Sequence, residues 1–348
     1  MATANISASP ETKELYQKVA RLGATGYAFG HQDTTAYGIG WRYQNDTFRS
    51  DVHDVTGDFP AVHGFDLGYL EMGNPENLDK VSFCSMSRLM AMAHENGAIV
   101  TVSWHANNPL TLKNTWDTTP VVSQILTDGS LHGLYREWLG NLAHFFNNLK
   151  DNAGNSIPVI FRPFHEMNGA WFWWGSGSCS PTEYKQLWRE TFTILTQELG
   201  VENILFAYSP NALEKSEDYL KYYPGDGYVD ILGLDCYQYN GPEAFSDTLS
   251  KDLAIMKWAA MEKGKPFALT EVGLERVTQA DWWTKVFHPS VKGSGIAWAL
   301  FWRNDRPEHH FAPYLGHASN PDFKKYHQMP EVFFLKDMKF PEAEQGNL

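Results

Sequence analysis

Apolar and polar positions follow two rhythms along this chain. Short β-rich apolar runs stand at residues 27–30, 61–65, 99–104, 159–164, 204–208, 229–235, 267–271 and 296–301. Runs of this length, bounded by polar loops, read as strands, whereas apolar residues three or four apart read as helices. The helical rhythm falls at roughly 10–22, ahead of the first run, and then at 79–96, 130–150, 181–199, 244–263 and 279–289. Weaker helical signals lie between the first and second strands and between the fifth and sixth. Ser180-Pro181-Thr182-Glu183 marks a clear helix start, because serine caps and proline is tolerated in the first turn.

Eight strand–helix units in alternation favour a closed (β/α)8 TIM barrel over an open sheet. No strand runs into a GxGxxG turn of the dinucleotide-binding kind. The chain has 348 residues, against about 250 for a plain barrel. One domain over 1–348 with long loops is therefore expected, with a short lead over 1–8 and a surface tail over about 330–348. The loops at 33–50 and 106–120, rich in Asn, Thr, Trp and Tyr, are expected to wall a cleft.

In such a barrel the chemistry gathers where strands end at the carboxyl face. Standing there are His31 and Gln32, Asp66, Trp104 and His105, His165 and Glu166, Asn211, Tyr237, Glu271, and Trp302 with Arg303. Strands that merely ran into solvated loops would end in Ser, Lys, Asp and Gly. His31, Asp66 and Asn211 rest on position alone, and a structural role fits them equally well.

Charge and composition narrow the chemistry. A net charge of −13 argues against a nucleic-acid or anionic membrane surface, which clustered Lys and Arg would bind. Thirteen tryptophans and an aromatic share of 14% exceed what a core alone calls for, so part of this set belongs in loops. Three widely spaced cysteines suggest neither a disulfide framework nor a CxxC metal site. HExxH fails at His165, because Gly169 stands where the second histidine would be. His309-His310 has no third ligand of matching spacing, and P-loop and GxSxG motifs are absent, so neither metal nor cofactor is expected. The start, MATANISASPETKELY, has no basic and then apolar leader, and no apolar run is long enough for a membrane span.

The stretch PVIFRPFHEMNGAWFWWG, residues 158–175, joins a buried-arginine candidate, a carboxylate and four aromatics. Sugar-cleaving sites use such parts, because pyranose C–H faces stack on indoles and the glycosidic oxygen needs an acid beside it. FRPFHEMNGxWFWWG resembles the acid/base signature of glycoside hydrolase family 26, whose commonest members are endo-β-1,4-mannanases. PFALTEVGLE, residues 266–275, resembles that family's nucleophile strand. The resemblance runs from the first strand to Trp302 and implies the same barrel.

Glu166 and Glu271 then stand at the ends of the fourth and seventh strands, as general acid/base and nucleophile of a retaining hydrolase. A strand period of two would put Arg162 and Glu166 on one face, where Arg162 could hydrogen-bond Glu271 and favour its charged form. The resemblance further implies that His165 positions the acid/base and the sugar, and that the Tyr237 hydroxyl touches the nucleophile. It makes Trp302 the platform under the cleaved sugar, Arg303 a contact for the next glycone sugar, Trp171 an aglycone-side contact and His105 a glycone-side one. Core packing for Trp302 and a surface ion pair for Arg303 are the competing readings. The expected reaction is cleavage of internal β-1,4-mannosidic bonds in mannan, galactomannan or glucomannan, without cofactor, by a monomer. Mixed-linkage β-glucan or β-xylan is the alternative substrate, and a non-catalytic carbohydrate-binding barrel the rival from another class. A polymeric substrate implies a secreted or periplasmic protein.

Overall fold

The computed structural model describes residues 2–44 and 47–338. Among these, eight parallel strands close a barrel: β1 Tyr27–Gln32, β2 Val62–Asp66, β3 Ile99–Trp104, β4 Val159–Pro163, β5 Ile204–Tyr208, β6 Ile231–Tyr237, β7 Phe267–Gly273 and β8 Trp298–Phe301. Each pairs with its neighbours in chain order, and β8 returns to β1 with Ala28 opposite Trp298 and His31 opposite Phe301. The stronger helical signals appear as Pro10–Leu22, Phe83–Glu95, His132–Asn148, Pro181–Thr193 and Pro242–Lys263, and the weak ones as short helices at Asp51–Thr56 and Asp218–Lys221. Ser180 forms a reciprocal capping box with Glu183. No helix of the described residues is long and apolar enough to cross a membrane.

Strand alternation separates two cores. Ala28, Val62, Ile160, Leu205, Ile231, Ala268 and Trp298 cluster inside the barrel, while Phe29, Phe65, Phe161, Phe206 and Phe301 pack outward among the helices. Leu15, Tyr16, Val19 and Leu22 of the first helix join the interior cluster, so this helix plugs the barrel's lower mouth. The floor is apolar, and polar residues can enter only in the layers above it.

The C-terminal segment differs from the expected surface tail. Val332 and Phe333 pair beside β1, Phe334 stacks on Phe29 with ring centroids 4.7 Å apart, and Met338 is buried with the interior cluster. Its alternating apolar residues find a slot that the barrel leaves open between β1 and the loop before β2, where Leu335 N–H donates to the Phe59 carbonyl. Residues 339–348 of the expected tail lie outside the described residues. The lead is fixed as well: the Ala4 amide donates to Asp230 Oδ1 at 2.6 Å.

Phe334→Ala is expected to lower the unfolding free energy by about 3–5 kcal/mol in a denaturant titration, since it empties a fully buried aromatic site. A loss below about 1 kcal/mol would show a detachable tail instead.

Candidate active site

Above the apolar floor, β4 turns Arg162 inward two residues after Ile160. The side chain is buried, and its guanidinium donates through Nη1 to Asp235 Oδ2 at 2.9 Å and through Nη2 to Glu271 Oε1. These two carboxylates and Glu166 hold Arg162 above even an arginine's usual pKa, against the effect of burial. Asp235 completes its bonding with Ser209 Oγ at 2.7 Å and Thr270 Oγ1 at 2.8 Å. Burial raises Asp235 to about 7, with Arg162 pulling it down and Glu271 pushing it further up.

A bulge in β7 brings Glu271 to this place. Leu234 of β6 lies opposite Leu269, yet Asp235 lies opposite Glu271, so Thr270 is the extra residue. The pairing with β8 slips at the same point. Thr270 and Glu271 consequently both reach the interior, which strict alternation forbids. Tyr237, at the end of β6, donates its hydroxyl to Glu271 Oε2 at 2.6 Å, so both oxygens of Glu271 are held.

Glu166 arrives by a different route from the one expected. β4 stops at Pro163, and Phe164 and Glu166 both have left-handed backbones, with φ of 49° and 54°. A period of two therefore does not carry Arg162's orientation to Glu166; a strained turn does. Such backbones persist only where surrounding contacts impose them. Here Glu166 N–H donates to the Ser209 carbonyl at 2.7 Å, the Tyr184 hydroxyl holds the Phe164 carbonyl at 2.8 Å, and Asn168 and Asn211 bond each other through Asn168's amide. Asn211 thus pins the turn from the side.

Trp171 folds back over this turn and donates its indole N–H to Glu166 Oε2 at 2.7 Å. Gly169 makes the fold possible, since a Cβ there would stand 2.2 Å from the indole ring. Burial, with Asp235 and Glu271 nearby, holds Glu166 well above the usual carboxylate range, against the pull of Trp171 and Arg162. Glu166, Asp235 and Glu271 each offer an oxygen within 4.8 Å of the others, and the positive charge at this spot is Arg162.

Two histidines beside the pair are set apart. His105 Nδ1 lies 2.6 Å from Asp66 Oδ2, which also accepts from Ser103 Oγ at 2.6 Å. Burial opposes charge on His105, but Asp66 outweighs it and the pKa is raised, while Asp66 itself falls to about 2. His165 packs edge-on to His105 at 4.6 Å. Burial, Arg162 and His105 together keep His165 far below its ordinary value, hence neutral.

Glu166, Glu271, His165, Tyr237, His105, Trp171 and Trp302 line one open cleft of about 540 Å³. Arg303 is not part of that lining; it ion-pairs with Asp79 and donates to the Tyr37 hydroxyl at 3.2 Å. His31 is buried, with Nδ1 2.9 Å from Thr34 Oγ1. The loop at 106–120 supplies Trp116 to the cleft, as expected of a wall, whereas the described part of the loop at 33–50 meets the cleft's surroundings through Tyr37.

The family model for glycosyl hydrolase family 26 matches residues 4–269. The chain belongs to glycoside hydrolase family 26. A mannan endo-1,4-β-mannosidase of Bifidobacterium adolescentis is 37% identical over 279 residues, which is 77% of this chain and 27% of that protein. One from Bacillus subtilis is 33% identical over 248 residues, 66% of this chain and 63% of its own length. The chain thus spans less than two thirds of either relative. A family 26 β-mannanase structure from Bacteroides ovatus superposes with a TM-score of 0.92 at 40% identity, covering 97% of this chain and all of that one.

Within this family 26 chain, the motif aromatics do not all face the cleft. Trp173 and Trp174 are wholly buried, donating to the Ala106 and His165 carbonyls at 3.0 and 2.7 Å, and Phe172 shows the cleft little more than an edge. Asp235 is the main residue that sequence reasoning passed over. A charged residue inside the apolar run VDILGLDCY, in step with Ile231 and Gly233, was the available signal. Glu71, which accepts from Trp104 Nε1 and the Asn107 amide, gave none.

Replacing Trp171 with Phe removes a donor that favours the ionised carboxyl, so Glu166 is expected to titrate higher still. Side-chain 13C NMR should show the wild-type midpoint well above the ordinary glutamate range and an upward move of about half to one unit in the variant. A downward move would contradict this account of the site.

Proposed function

We propose that this chain is a retaining endo-β-1,4-mannanase with Glu166 as acid/base and Glu271 as nucleophile. The observation that carries the reading is the closeness of the two carboxyls, each with an oxygen within 4.8 Å of the other. That fits the about 5–5.5 Å of retaining enzymes, whereas inverting ones leave about 6.5–9.5 Å for a water. The names of the relatives and of the superposing structure supply the substrate.

In the first step a Glu271 oxygen bonds to the anomeric carbon as the glycosidic C–O bond breaks, and the departing oxygen takes the proton of Glu166. In the second, water attacks that carbon, gives its proton to Glu166 and releases Glu271. The environments match these tasks. Glu166 is held protonated by burial, while Glu271 receives donors on both oxygens from Arg162 and Tyr237. Trp302 is the platform under the cleaved sugar, and His105, held by Asp66, offers Nε2 to its hydroxyls. Trp171 takes the sugar on the leaving side, where it also touches the acid. Arg303, braced by Asp79 and Tyr37, contacts the glycone further out. The protein acts as a monomer, outside the cytoplasm, where the polymer is.

Digestion of mannan, galactomannan, mixed-linkage glucan and xylan tests this. Wild type should cut the mannans with an early ladder of mixed lengths, and Glu166→Gln or Glu271→Gln should lower kcat on mannan by about a thousand-fold or more. Cleavage of glucan or xylan alone would replace the substrate assignment. Unchanged turnover in either variant would remove that residue from the mechanism.

A further inference from the structure

Beyond β7 the cleft wall carries a second strained element. Arg276 and Val277 are consecutive non-glycine residues with left-handed backbones, at φ of 63° and 39°. For a β-branched residue this is a genuine outlier. Contacts impose it: Val277 is buried at 2% exposure, and the Arg276 amide donates to the His310 carbonyl at 2.7 Å. The effect is to set an exposed Arg276 at the cleft, in the same lining as Glu271. Its guanidinium has no hydrogen-bond or ion-pair partner among the described residues, although the chain carries 41 acidic residues against 28 lysines and arginines.

The wall leading there starts at the nucleophile. Tyr237, bonded to Glu271, packs edge-on against Phe311 at 5.5 Å, and Phe311 against His309 at 5.3 Å. His309 Nδ1 meets Glu275 Oε1 at 2.8 Å, next to Arg276 in sequence. Tyr239, 81% exposed, lies 6.2 Å ring to ring from Tyr237 in the same lining. An exposed phenol, a histidine–glutamate hydrogen bond and a fork of donors without a partner among the described residues thus share the lining of the cleft.

We propose that Arg276 and Tyr239 form a further sugar-binding subsite, occupied by a neutral pyranose of the main chain away from the cleaved bond. This rests on the polysaccharide reading above and adds a subsite to it. The guanidinium fork matches a vicinal pair of hydroxyls, and the phenol ring takes a C–H face. A uronate is disfavoured there, because the carboxylates of Glu271 and Glu275 share the lining. The strained backbone is retained for the sake of where it puts the side chain.

The experiment compares kcat/KM on β-1,4-manno-oligosaccharides from the trimer to the hexamer for wild type, Arg276→Ala, Arg276→Lys and Arg276→Gly, with thermal unfolding of each. Arg276→Ala should lose about ten-fold on the longest substrates and less than about two-fold on the trimer, the size of one charged hydrogen-bonding group. Arg276→Lys should recover part of that loss. Arg276→Gly should show the same length-dependent loss while its Tm rises by about 1–3 °C, since glycine adopts positive φ without strain. A Tm rise with activity intact at every length would make the strain merely structural and overturn the proposal, as would a loss equal at all lengths. A wild type inactive on all the manno-oligosaccharides would fell the mannanase reading itself, and the subsite with it.

Discussion

The site depends on one buried cation. Arg162, enclosed within the barrel, has its guanidinium divided between Asp235 and Glu271, and all three side chains are buried. Removing one member of such a group typically costs about 3–5 kcal/mol, because the others are left buried without a counter-charge. The arrangement therefore requires that β4, β6 and β7 all present inward residues at one height. β4 and β6 do so by plain alternation, from Ile160 to Arg162 and from Ile231 to Asp235. β7 does so by inserting Thr270, which is itself used to bond Asp235 and Ser209.

The same fixed charges sort the surrounding groups into different protonation states. Burial, with Asp235 and Glu271 nearby, holds Glu166 protonated, and among the described residues its side chain is hydrogen-bonded by the Trp171 indole N–H. His105 and His165 touch, yet Asp66 raises the pKa of one, while burial and Arg162 keep the other neutral. Two imidazoles of similar intrinsic basicity are thereby driven apart by their neighbours, and Glu166 is set above an ordinary carboxyl. A carboxyl held high in pKa beside one whose two oxygens both accept hydrogen bonds is the arrangement that the proposed acid/base and nucleophile roles call for.

Much of this was legible in the chain. Eight apolar runs in alternation with helical spacing gave the barrel, because each strand must bury one face inside and the other beneath helices. Glu166 and Glu271 could be singled out from strand ends and motif context. Four things escaped, for physical reasons. Glu166 is delivered by left-handed residues at 164 and 166, whereas sequence periodicity describes only regular backbone. Trp173 and Trp174 look like sugar platforms in the motif but pack inward, since an aromatic run does not tell which ring turns to the core. An ion pair for Arg303 could be weighed, but not its partner, since Asp79, 224 residues earlier, is brought beside it only by the fold. The tail from 332 to 338 was misjudged because its partner, Phe29, lies at the other end of the chain.

The central claim is that Glu271, oriented by Arg162 and Tyr237, bonds covalently to the sugar. The direct measurement is trapping with a 2-deoxy-2-fluoro-β-mannosyl fluoride, followed by intact-mass and peptide-level mass spectrometry. The account predicts one glycosyl adduct per chain, located on Glu271 and missing from Glu271→Gln. An adduct on another residue, or steady turnover of mannan by a protein that never accumulates one, would contradict it.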